Sequence, residues 1–310
     1  MQLDEDGLAA ATRAIVGDTG QARFGIAVSG GPDSMALLYL AARAFAGRVE
    51  AVTVDHGLRA AAAQEAAMVA DWCAGQGIAH ATLKPASPVE GNVQNWARTQ
   101  RYALIGQWRR ERGVDWIMTA HHADDQIETM VMRLNRGAGV GGLAGVRARS
   151  GHVIRPLLGA RKGALLALAR ERGLPHVDDP SNSDPRFDRA ALRAVLAGVD
   201  WLDPEAAARS AAALAEAEAA LDWSVNALMA AHVRAEGGGW RIGRTDLPRE
   251  YMRRLVLRLL EQADAPVPRG DSLDRAIAAA SGGGQASIGG WLLKGGAGWT
   301  LMPAPPRRGG

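Results

Sequence analysis

The sequence predicts an α/β fold, in which a doubly wound parallel sheet is followed by a long helical connector and a small α+β C-terminal domain. Apolar runs of strand length alternate with helix-length segments through the first half of the chain, which is typical of a parallel sheet covered on both faces. An alanine-rich segment of helical character then ends at three consecutive glycines, residues 237–239. With 310 residues, the chain is long enough for two domains, the first with a large core.

Predicted strands, each followed by a predicted helix, make up the first half of the chain. The strands cover residues 24–28, 49–54, 80–83, 116–120 and 153–155, and the helices cover 35–40, 60–77, 93–112, 124–136 and 161–172. Open sheets of this kind bind ligands at the carboxyl ends of their strands. The segments that follow strands 24–28, 49–54 and 116–120 are therefore expected to converge on one crevice.

The second half begins with a strong helix start, where Asp203 can cap the helix and Pro204 occupies its first turn. We predict one helix over residues 203–236, about 50 Å long at 1.5 Å per residue. A strand, two helices and a hairpin are predicted to follow, at residues 240–242, 249–261, 272–280, and 288–293 with 298–302. The predicted domains are residues 1–202, a connector at 203–239 and a small domain at 240–310, with a disordered tail from residue 303.

Composition excludes several classes of protein. Hydrophobic residues make up 47% of the chain and charged residues 22%, as in ordinary globular proteins. No run approaches the ~20 apolar residues of a membrane span, and the acidic N-terminus lacks a secretory signal pattern. A cytoplasmic protein with no membrane association is therefore expected. The single cysteine, Cys73, excludes an internal disulfide and a cysteine-rich metal site.

Basic residues are unevenly distributed along the chain. The net charge is +3, but Lys and Arg outnumber Asp and Glu from residue 241 onward, and Glu171 is the only acidic residue between Arg147 and Arg172. Such blocks favour a polyanionic partner such as nucleic acid. Because the basic residues are nearly all arginine in a chain rich in alanine and glycine, a general compositional bias explains them equally well.

One loop lies where a predicted strand turns into a helix, and it consists of Ser29, Gly30, Gly31, Pro32, Asp33 and Ser34. Its glycines let the backbone approach a ligand, and the helix start offers free N–H groups at the positive end of the helix dipole. Asp33 is suited to holding hydrated Mg²⁺ against phosphate oxygens. The loop is neither GxxxxGK[ST] nor GxGxxG. It is similar to the loop of the PP-loop ATP pyrophosphatases, which cleave ATP between the α and β phosphates; the alternative is an ordinary surface turn.

A second polar cluster follows strand 116–120 and contains His121, His122, Asp124 and Asp125. Beside a phosphate-binding loop, its carboxylates are candidates for holding Mg²⁺ or the cationic amine of a substrate. Zinc is disfavoured, because neither cysteines nor a zinc-binding spacing is present. The alternative is that both aspartates only stabilise the start of the next helix.

Further candidates lie at the end of strand 49–54 and on the helix over residues 93–112. Asp55 and His56 follow the strand directly. On the helix, Arg98 and Arg101 share one face with Gln94 and Tyr102. If this face lies toward the crevice, its arginines can hold phosphate or neutralise charge in a transition state; the alternative is a solvent-exposed face.

Together these motifs resemble the bacterial tRNA(Ile)-lysidine synthetases, a branch of the PP-loop superfamily with a Rossmann-like sheet. The matching segments run in order from residue 24 to about residue 193, and they are 29–34, 54–59, 97–102, 119–129, 133–145, 155–158 and 179–182. The 29–34 loop alone would indicate only the superfamily. Its combination with segments 54–59 and 119–129 points to this branch.

The resemblance implies a ligase that uses ATP and Mg²⁺ to join L-lysine to C2 of the wobble cytidine in the CAU-anticodon tRNA(Ile) precursor. ATP adenylylates the C2 oxygen and pyrophosphate leaves; the neutral lysine ε-amine then displaces AMP to form lysidine. Codon reading changes from AUG to AUA. Recognition of the tRNA is expected from residues 147–193 and from the small domain at 240–310. A homodimer is left open.

The resemblance also assigns roles to residues of this chain. Residues 29–34 would bind the pyrophosphate group, with Asp33 near magnesium, and Asp55 and His56 would contact the ribose or adenine. Asp124 and Asp125 would bind the lysine ammonium or a metal, and Arg101 would neutralise the phosphate charge that develops. The set of metal ligands is left unassigned.

Two positions depart from the family pattern, and other functions compete. Asp178 stands where glutamate is usual, and Ala190 where asparagine is usual. A tRNA thiolase of cytidine or uridine fits the loop, but that chemistry needs paired cysteines. GMP and NAD synthetases use ammonia and lack the 119–129 segment. A protein that binds ATP and RNA without turnover is the alternative outside the enzymes, and lysine-dependent pyrophosphate release would distinguish it.

Overall fold

A computed structural model of the chain describes residues 2–58, 61–86, 89, 91–177, 188–268 and 271–305. The chain forms two compact units, which divide between Ala215 and Glu216 inside a single helix. Among the helices of the described residues, none is long and apolar enough to cross a lipid bilayer. The predicted division into residues 1–202, 203–239 and 240–310 stays a prediction.

The first unit is a sheet with helices on both faces. Its helices are α1 (Glu5–Val16), α2 (Pro32–Ala44), α3 (Ala61–Gly75), α4 (Val93–Arg112), α5 (Ala123–Leu134), α6 (Val140–Leu143), α7 (Lys162–Glu171) and α8 (Asp188–Leu196), and α9 (Pro204–His232) begins in it. Its strands are β1 (Phe24–Ala27), β2 (Val49–Val54), β3 (Ala79–Leu83), β4 (Trp116–Met118), β5 (Arg149–Ser150) and β6 (Val153–Ile154).

The order of these strands places the predicted crevice. The order is β3-β2-β1-β4-β6-β5, and every pairing is parallel except that of β5 with β6. The chain moves outward from β1 to β3 and then returns to the other side of β1 with β4. Ligands bind at such a switch point, so the carboxyl ends of β1 and β4 flank the expected site. The predicted α/β fold is confirmed, and the antiparallel edge strand β5 is an addition to it.

Apolar side chains fill both faces of this sheet. The larger core contains Phe24, Ile26 and Leu37, packed with residues of α1, α3 and α7. Cys73 is fully buried in this core as a free thiol, and burial raises its pKa to about 11. The smaller core lies under α4 and contains Trp108.

Glycine at position 25 of β1 sets how closely α4 approaches the sheet. A Cβ atom at Gly25 would lie 2.7 Å from Cζ3 of Trp108 and 2.8 Å from Cδ1 of Ile117. Both of these side chains are buried, so they have little room to move aside. The absence of a side chain at Gly25 therefore fixes the position of α4, whose first turns carry the predicted crevice arginines.

The second unit packs two helices and the end of α9 on an antiparallel sheet. Its further elements are β7 (Val233–Glu236), β8 (Gly239–Ile242), α10 (Arg249–Gln262), α11 (Ser272–Ser281), β9 (Gln285–Ile288), β10 (Trp291–Lys294) and β11 (Trp299–Pro303), with the sheet order β7-β8-β11-β10-β9. Trp299 is buried in its core, and Trp240 and Trp291 pack against that core with ring centroids 5.2 Å apart. Arg254 of α10 bonds to Glu218 and contacts Asp222 of α9.

Two element predictions in this region are wrong. The helix predicted over residues 203–236 ends at His232, and residues 233–236 form β7 because they pair with β8. The strand predicted over residues 288–293 is split into β9 and β10, because Gly289 and Gly290 have φ angles of +58° and +81° and form a tight hairpin turn. The predicted loop at 178–185, including Asp178, and residues 306–310 lie outside the described residues.

Candidate active site

The 29–34 loop leads from β1 into the open N-terminus of α2. Gly31 caps the helix without any side-chain bond to its N–H groups, and Pro32 occupies the first turn. The Ser34 hydroxyl donates to the Gly31 carbonyl (2.9 Å) and accepts from the Ser29 N–H (3.1 Å). The loop is therefore held in shape by its own serines, while the helix N-terminus is left free to bind an anion.

Gly30 is the position in this loop where only glycine fits without strain. Its φ angle is +85°, and a Cβ atom there would lie 3.4 Å from Cε of Met68 and 3.6 Å from Cγ2 of Val177. The Gly30 carbonyl also accepts a hydrogen bond from the Val177 N–H (3.0 Å). The loop is thus supported from behind by α3 and by the segment that follows α7.

His122 lies at the centre of the carboxylates that the sequence predicted. It caps α5, and its Nδ1 accepts the N–H of Asp125 (3.3 Å) while the Asp125 carboxylate accepts the His122 N–H (3.1 Å). Its Nε2 therefore carries the proton, and it lies 3.6 Å from both Asp33 and Asp125. Burial lowers the pKa of His122, but contact with Asp33 and the charges of Asp125 and Asp124 outweigh burial and raise it.

Asp33 has one carboxylate oxygen that is suited to a metal. Its Oδ2 faces His122, whereas Oδ1 is buried and has no hydrogen-bond partner among the residues that the structure describes. Within the described residues, no three His, Cys, Asp or Glu side chains form a group able to hold a metal ion alone. Mg²⁺ is usually bound through one or two carboxylates together with substrate phosphates and water. A single carboxylate oxygen without a described partner, beside the 29–34 loop, fits that pattern.

The two neighbouring aspartates of α5 have different surroundings. Asp124 Oδ2 accepts the Lys162 N–H (2.7 Å) and so caps the start of α7. Asp125 belongs to the capping box of α5. In both residues the described bonds involve Oδ2, which leaves Oδ1 without a described partner. The predicted stabilisation of a helix start is confirmed for Asp125.

His121 differs from its neighbour in the direction of its pKa shift. Its Nδ1 lies 2.9 Å from the Thr119 hydroxyl. Burial lowers the pKa of His121 to about 4; the charge of Asp125 raises it, and those of Arg155, Arg189 and Arg98 lower it further. The imidazole is therefore neutral at pH 7.

Asp55 and His56 lie at the end of β2, on the other side of β1. Asp55 accepts the Gly57 N–H (2.9 Å) and lies 3.5 Å from the Lys84 ammonium, so both of its oxygens are engaged. His56 has two buried ring nitrogens, and neither has a hydrogen-bond partner within the described ranges. Burial lowers the pKa of His56, and the positive charge of Arg101 lowers it further. The negative charge of Asp55 raises this pKa, but by less.

The predicted helix face on α4 does reach this edge of the sheet. The positive charge of Arg101 acts on His56, and that of Arg98 acts on His121. Arg98 also lies over the Tyr102 ring, 5.1 Å from its centroid. Within the described part of the chain, no hydrogen-bond acceptor or carboxylate is assigned to Arg101, so its guanidinium is free to bind an anion.

Sequence reasoning missed a buried ion pair between α5 and α8. Arg193 makes two bonds to Glu128, from Nε (2.7 Å) and Nη2 (3.0 Å), and Glu128 is almost fully buried. Arg189 lies 3.3 Å from the same carboxylate and donates to the Thr129 hydroxyl. Ala190, where the family pattern has asparagine, lies between these arginines on α8. The partners are more than 60 residues apart in the chain, so no local spacing signals the pair.

Together, the sheet and the loop on an uncapped helix define a PP-loop protein that uses ATP. A family model described as a PP-loop domain matches residues 5–199. The U34-tRNA thiolase NcsA from Methanococcus maripaludis has the same fold, with a TM-score of 0.55 at 17% sequence identity, over 68% of this chain and 79% of that chain.

More similar relatives narrow the class. The chain is 45% identical over 297 residues to the tRNA(Ile)-lysidine synthase of Novosphingobium aromaticivorans, covering 92% of this chain and 90% of that protein. It is 40% identical over 296 residues to the tRNA(Ile)-lysidine synthase of Zymomonas mobilis, again covering 92% and 90%. The chain therefore belongs to the tRNA(Ile)-lysidine synthase family, as its motifs predicted.

Proposed function

We propose that this protein joins L-lysine to C2 of the wobble cytidine in CAU-anticodon tRNA(Ile), at the expense of ATP, and so changes codon reading from AUG to AUA. The observation that carries the proposal is the 29–34 loop on an uncapped helix, beside the carboxylates around His122, in a member of this family. Every role assigned below to a side chain is part of the proposal.

The 29–34 loop binds the β and γ phosphates of ATP. Its support is the free N-terminus of α2, whose N–H groups and dipole favour a polyanion. Mg²⁺ bound at Asp33 would neutralise phosphate charge and favour departure of pyrophosphate. His122 holds one oxygen of the Asp33 carboxylate and leaves the other directed away from it.

The nucleoside end of ATP lies toward β2. His56 supports this placement, because its two buried ring nitrogens have no partner in the part of the chain that the structure describes and can bond to the adenine or ribose. Asp55 orients this segment through its bond to Gly57. ATP would then extend from the end of β2 to the carboxyl end of β1, with its α phosphorus between the adenosine and the 29–34 loop.

The reaction needs two displacements at this position. In the first, the C2 oxygen of cytidine bonds to the α phosphorus, the α–β phosphate bond breaks and pyrophosphate leaves. Arg101 neutralises the charge that develops. In the second, the lysine ε-nitrogen attacks C2 and AMP leaves with the oxygen. Asp125 and Asp124 bind the lysine ammonium through their free oxygens, and the amine must lose a proton before it attacks.

Labelled lysine tests the overall activity. With ATP and Mg²⁺, label should enter a CAU-anticodon tRNA(Ile) transcript, and it should not enter the initiator or elongator tRNA(Met), which share that anticodon. Pyrophosphate release should depend on the tRNA. Absence of label from tRNA(Ile), in a preparation that binds both ATP and tRNA, would refute the proposal. The Mg²⁺ requirement, a homodimer and the cytoplasmic location stay predictions.

Separate half-reactions test the lysine site. Asp125→Asn should retain tRNA-dependent pyrophosphate release but raise the KM for lysine about 10- to 100-fold, because a charged hydrogen bond contributes about 1.5–3 kcal/mol. Asp124→Asn keeps the oxygen that caps α7 and should raise this KM less. Asp71→Asn, on the exposed face of α3, is the matched control and should behave as wild type. Unchanged lysine kinetics in both α5 variants would remove this assignment.

A further inference from the structure

Three arginines at the carboxyl edge of the sheet carry positive charge that no carboxylate among the described residues balances. Arg133, Arg147 and Arg155, called here the arginine cluster, form hydrogen bonds only to main-chain carbonyl oxygens among the described residues. Arg133 Nη1 donates to the carbonyls of Gly142 (2.7 Å) and Gly145 (2.9 Å). Arg147 Nη2 donates to Gly141 (3.0 Å), and Arg155 Nη1 donates to the Arg147 carbonyl (2.7 Å).

The cluster also has donor groups that are left over. Arg155 is only 6% exposed, yet its Nε has no acceptor in the described part of the chain, and Nη1 of the partly buried Arg147 has none there either. A buried charge without a counter-charge and a buried donor without an acceptor are both costly. Natural proteins retain such groups where a ligand supplies the missing partner. The ligand that would balance guanidinium groups is an anion with several acceptor oxygens, and a phosphate group meets this description.

Electrostatic effects on neighbouring residues connect the cluster to the active site. Burial lowers the pKa of Arg133, and the charges of Arg147 and Arg189 lower it further, so these cations lie close together. The charge of Arg155 also lowers the pKa of His121. Arg155 follows β6 and His121 follows β4, and these strands pair in parallel, so the cluster lies at the same edge of the sheet as the carboxylates around His122.

The sheet order separates this cluster from the 29–34 loop. Arg155 follows β6, and the loop follows β1, with β4 between them. Two strand spacings of about 4.8 Å place the ends of β1 and β6 roughly 10 Å apart. The phosphates held by the loop are thus separate from the arginine cluster.

We infer that the arginine cluster binds a backbone phosphate of the tRNA next to the reacting cytidine, with Arg147 as the residue that contacts it. This inference rests on the proposed function. The other source of the same chemistry is ATP itself, and the experiment below separates the two.

Binding measurements with Arg147→Gln test the inference. Its affinity for an anticodon stem-loop RNA should fall about tenfold at low salt, and the slope of log K against log salt should fall by roughly one phosphate contact. ATP affinity without RNA should stay at the wild-type value. The matched control is Arg110→Gln, because Arg110 is an exposed arginine in the last turn of α4. This variant should change neither the RNA affinity nor the salt slope. Unchanged RNA affinity and salt slope in a folded Arg147→Gln protein would overturn the inference, as would a loss of ATP affinity instead.

Chemical modification of the wild-type protein gives an independent result should Arg147→Gln fail to fold. With an arginine-specific dicarbonyl reagent and mass spectrometry, the stem-loop RNA should protect Arg147, whereas ATP alone should not, and Arg110 should react equally in every sample. Protection by ATP alone, or none by RNA, would refute the inference. If the wild-type protein transfers lysine to tRNA(Ile) but RNA does not protect Arg147, only this inference is refuted. If it transfers no lysine, the proposed function is refuted.

Discussion

Substitution of Gly145 by alanine tests how the glycine-rich segment after α5 is fixed. Gly145 has a φ angle of +62°, and a Cβ atom there would clash with Oε1 of Gln126 and lie 3.2 Å from its Cδ. Gln126 is 3% exposed, and its amide forms two bonds to Val146, accepting the N–H (2.6 Å) and donating to the carbonyl (2.8 Å). The added methyl group must therefore displace a side chain that is bonded at both ends.

The expected loss of stability has two parts. Placing alanine in the left-handed region costs about 1–2 kcal/mol, and leaving the buried amide of Gln126 unpaired costs about 1–3 kcal/mol. Gly145→Ala should then lower the unfolding free energy of the first unit by about 2–5 kcal/mol, or the melting temperature by roughly 4–20 °C.

The matched control is Gly137→Ala in the same segment. Gly137 has a φ angle of +67°, but nothing lies within 4 Å of a Cβ atom there, so only the conformational cost of about 1–2 kcal/mol applies. Thermal melts followed by circular dichroism would compare the two variants with wild type. Equal losses in Gly145→Ala and Gly137→Ala would refute the role given to the Gln126–Val146 bonds.

Two further predictions concern buried charge. Glu128→Gln leaves Arg193 without its carboxylate; because Arg193 is 30% exposed, the loss should be about 2–4 kcal/mol, below that of a fully enclosed pair. Urea unfolding should show this loss, whereas the exposed control Glu111→Gln should unfold as wild type. Equal unfolding midpoints for Glu128→Gln and wild type would contradict the prediction. His121 has a folded pKa of about 4, below its unfolded value, so its contribution to stability is present above pH 6.5 and is lost as the pH falls toward 4. Between pH 7 and pH 5 the unfolding free energy should fall by about 2 kcal/mol because of His121. An equally large fall in His121→Gln would mean that other groups cause it.

Local signals were sufficient to predict which segments lie together around His122. The 29–34 loop could be found because its glycines, proline and aspartate lie between an apolar strand and an apolar helix, and all of that information is within a few residues. His122, Asp124 and Asp125 follow the next strand in the same way. Parallel strands in a switch-point sheet bring such segments together, so the contact between Asp33 and His122 follows from topology.

Contacts between distant segments could not be predicted in this way. Glu128 has the helical spacing of an ordinary α5 residue, and its partner Arg193 follows only after two more helices. The residues of β7 include alanine, arginine and glutamate, which favour helices, and only pairing with β8 makes them a strand. In contrast, the turn at Gly289 and Gly290 was marked by a glycine pair between apolar runs, which is a recognised hairpin signal.

The missing side chain at Gly25 has an effect far from its own position. Trp108 of α4 packs against β1 at Gly25. Arg101 lies seven residues earlier on the same helix, about 10 Å along its axis. A methyl group added at Gly25 would push α4 away from the sheet and move the guanidinium of Arg101 with it. No residue at the carboxyl edge of the sheet would have been changed. The position of the Arg101 guanidinium therefore depends on Gly25, in the N-terminal half of β1.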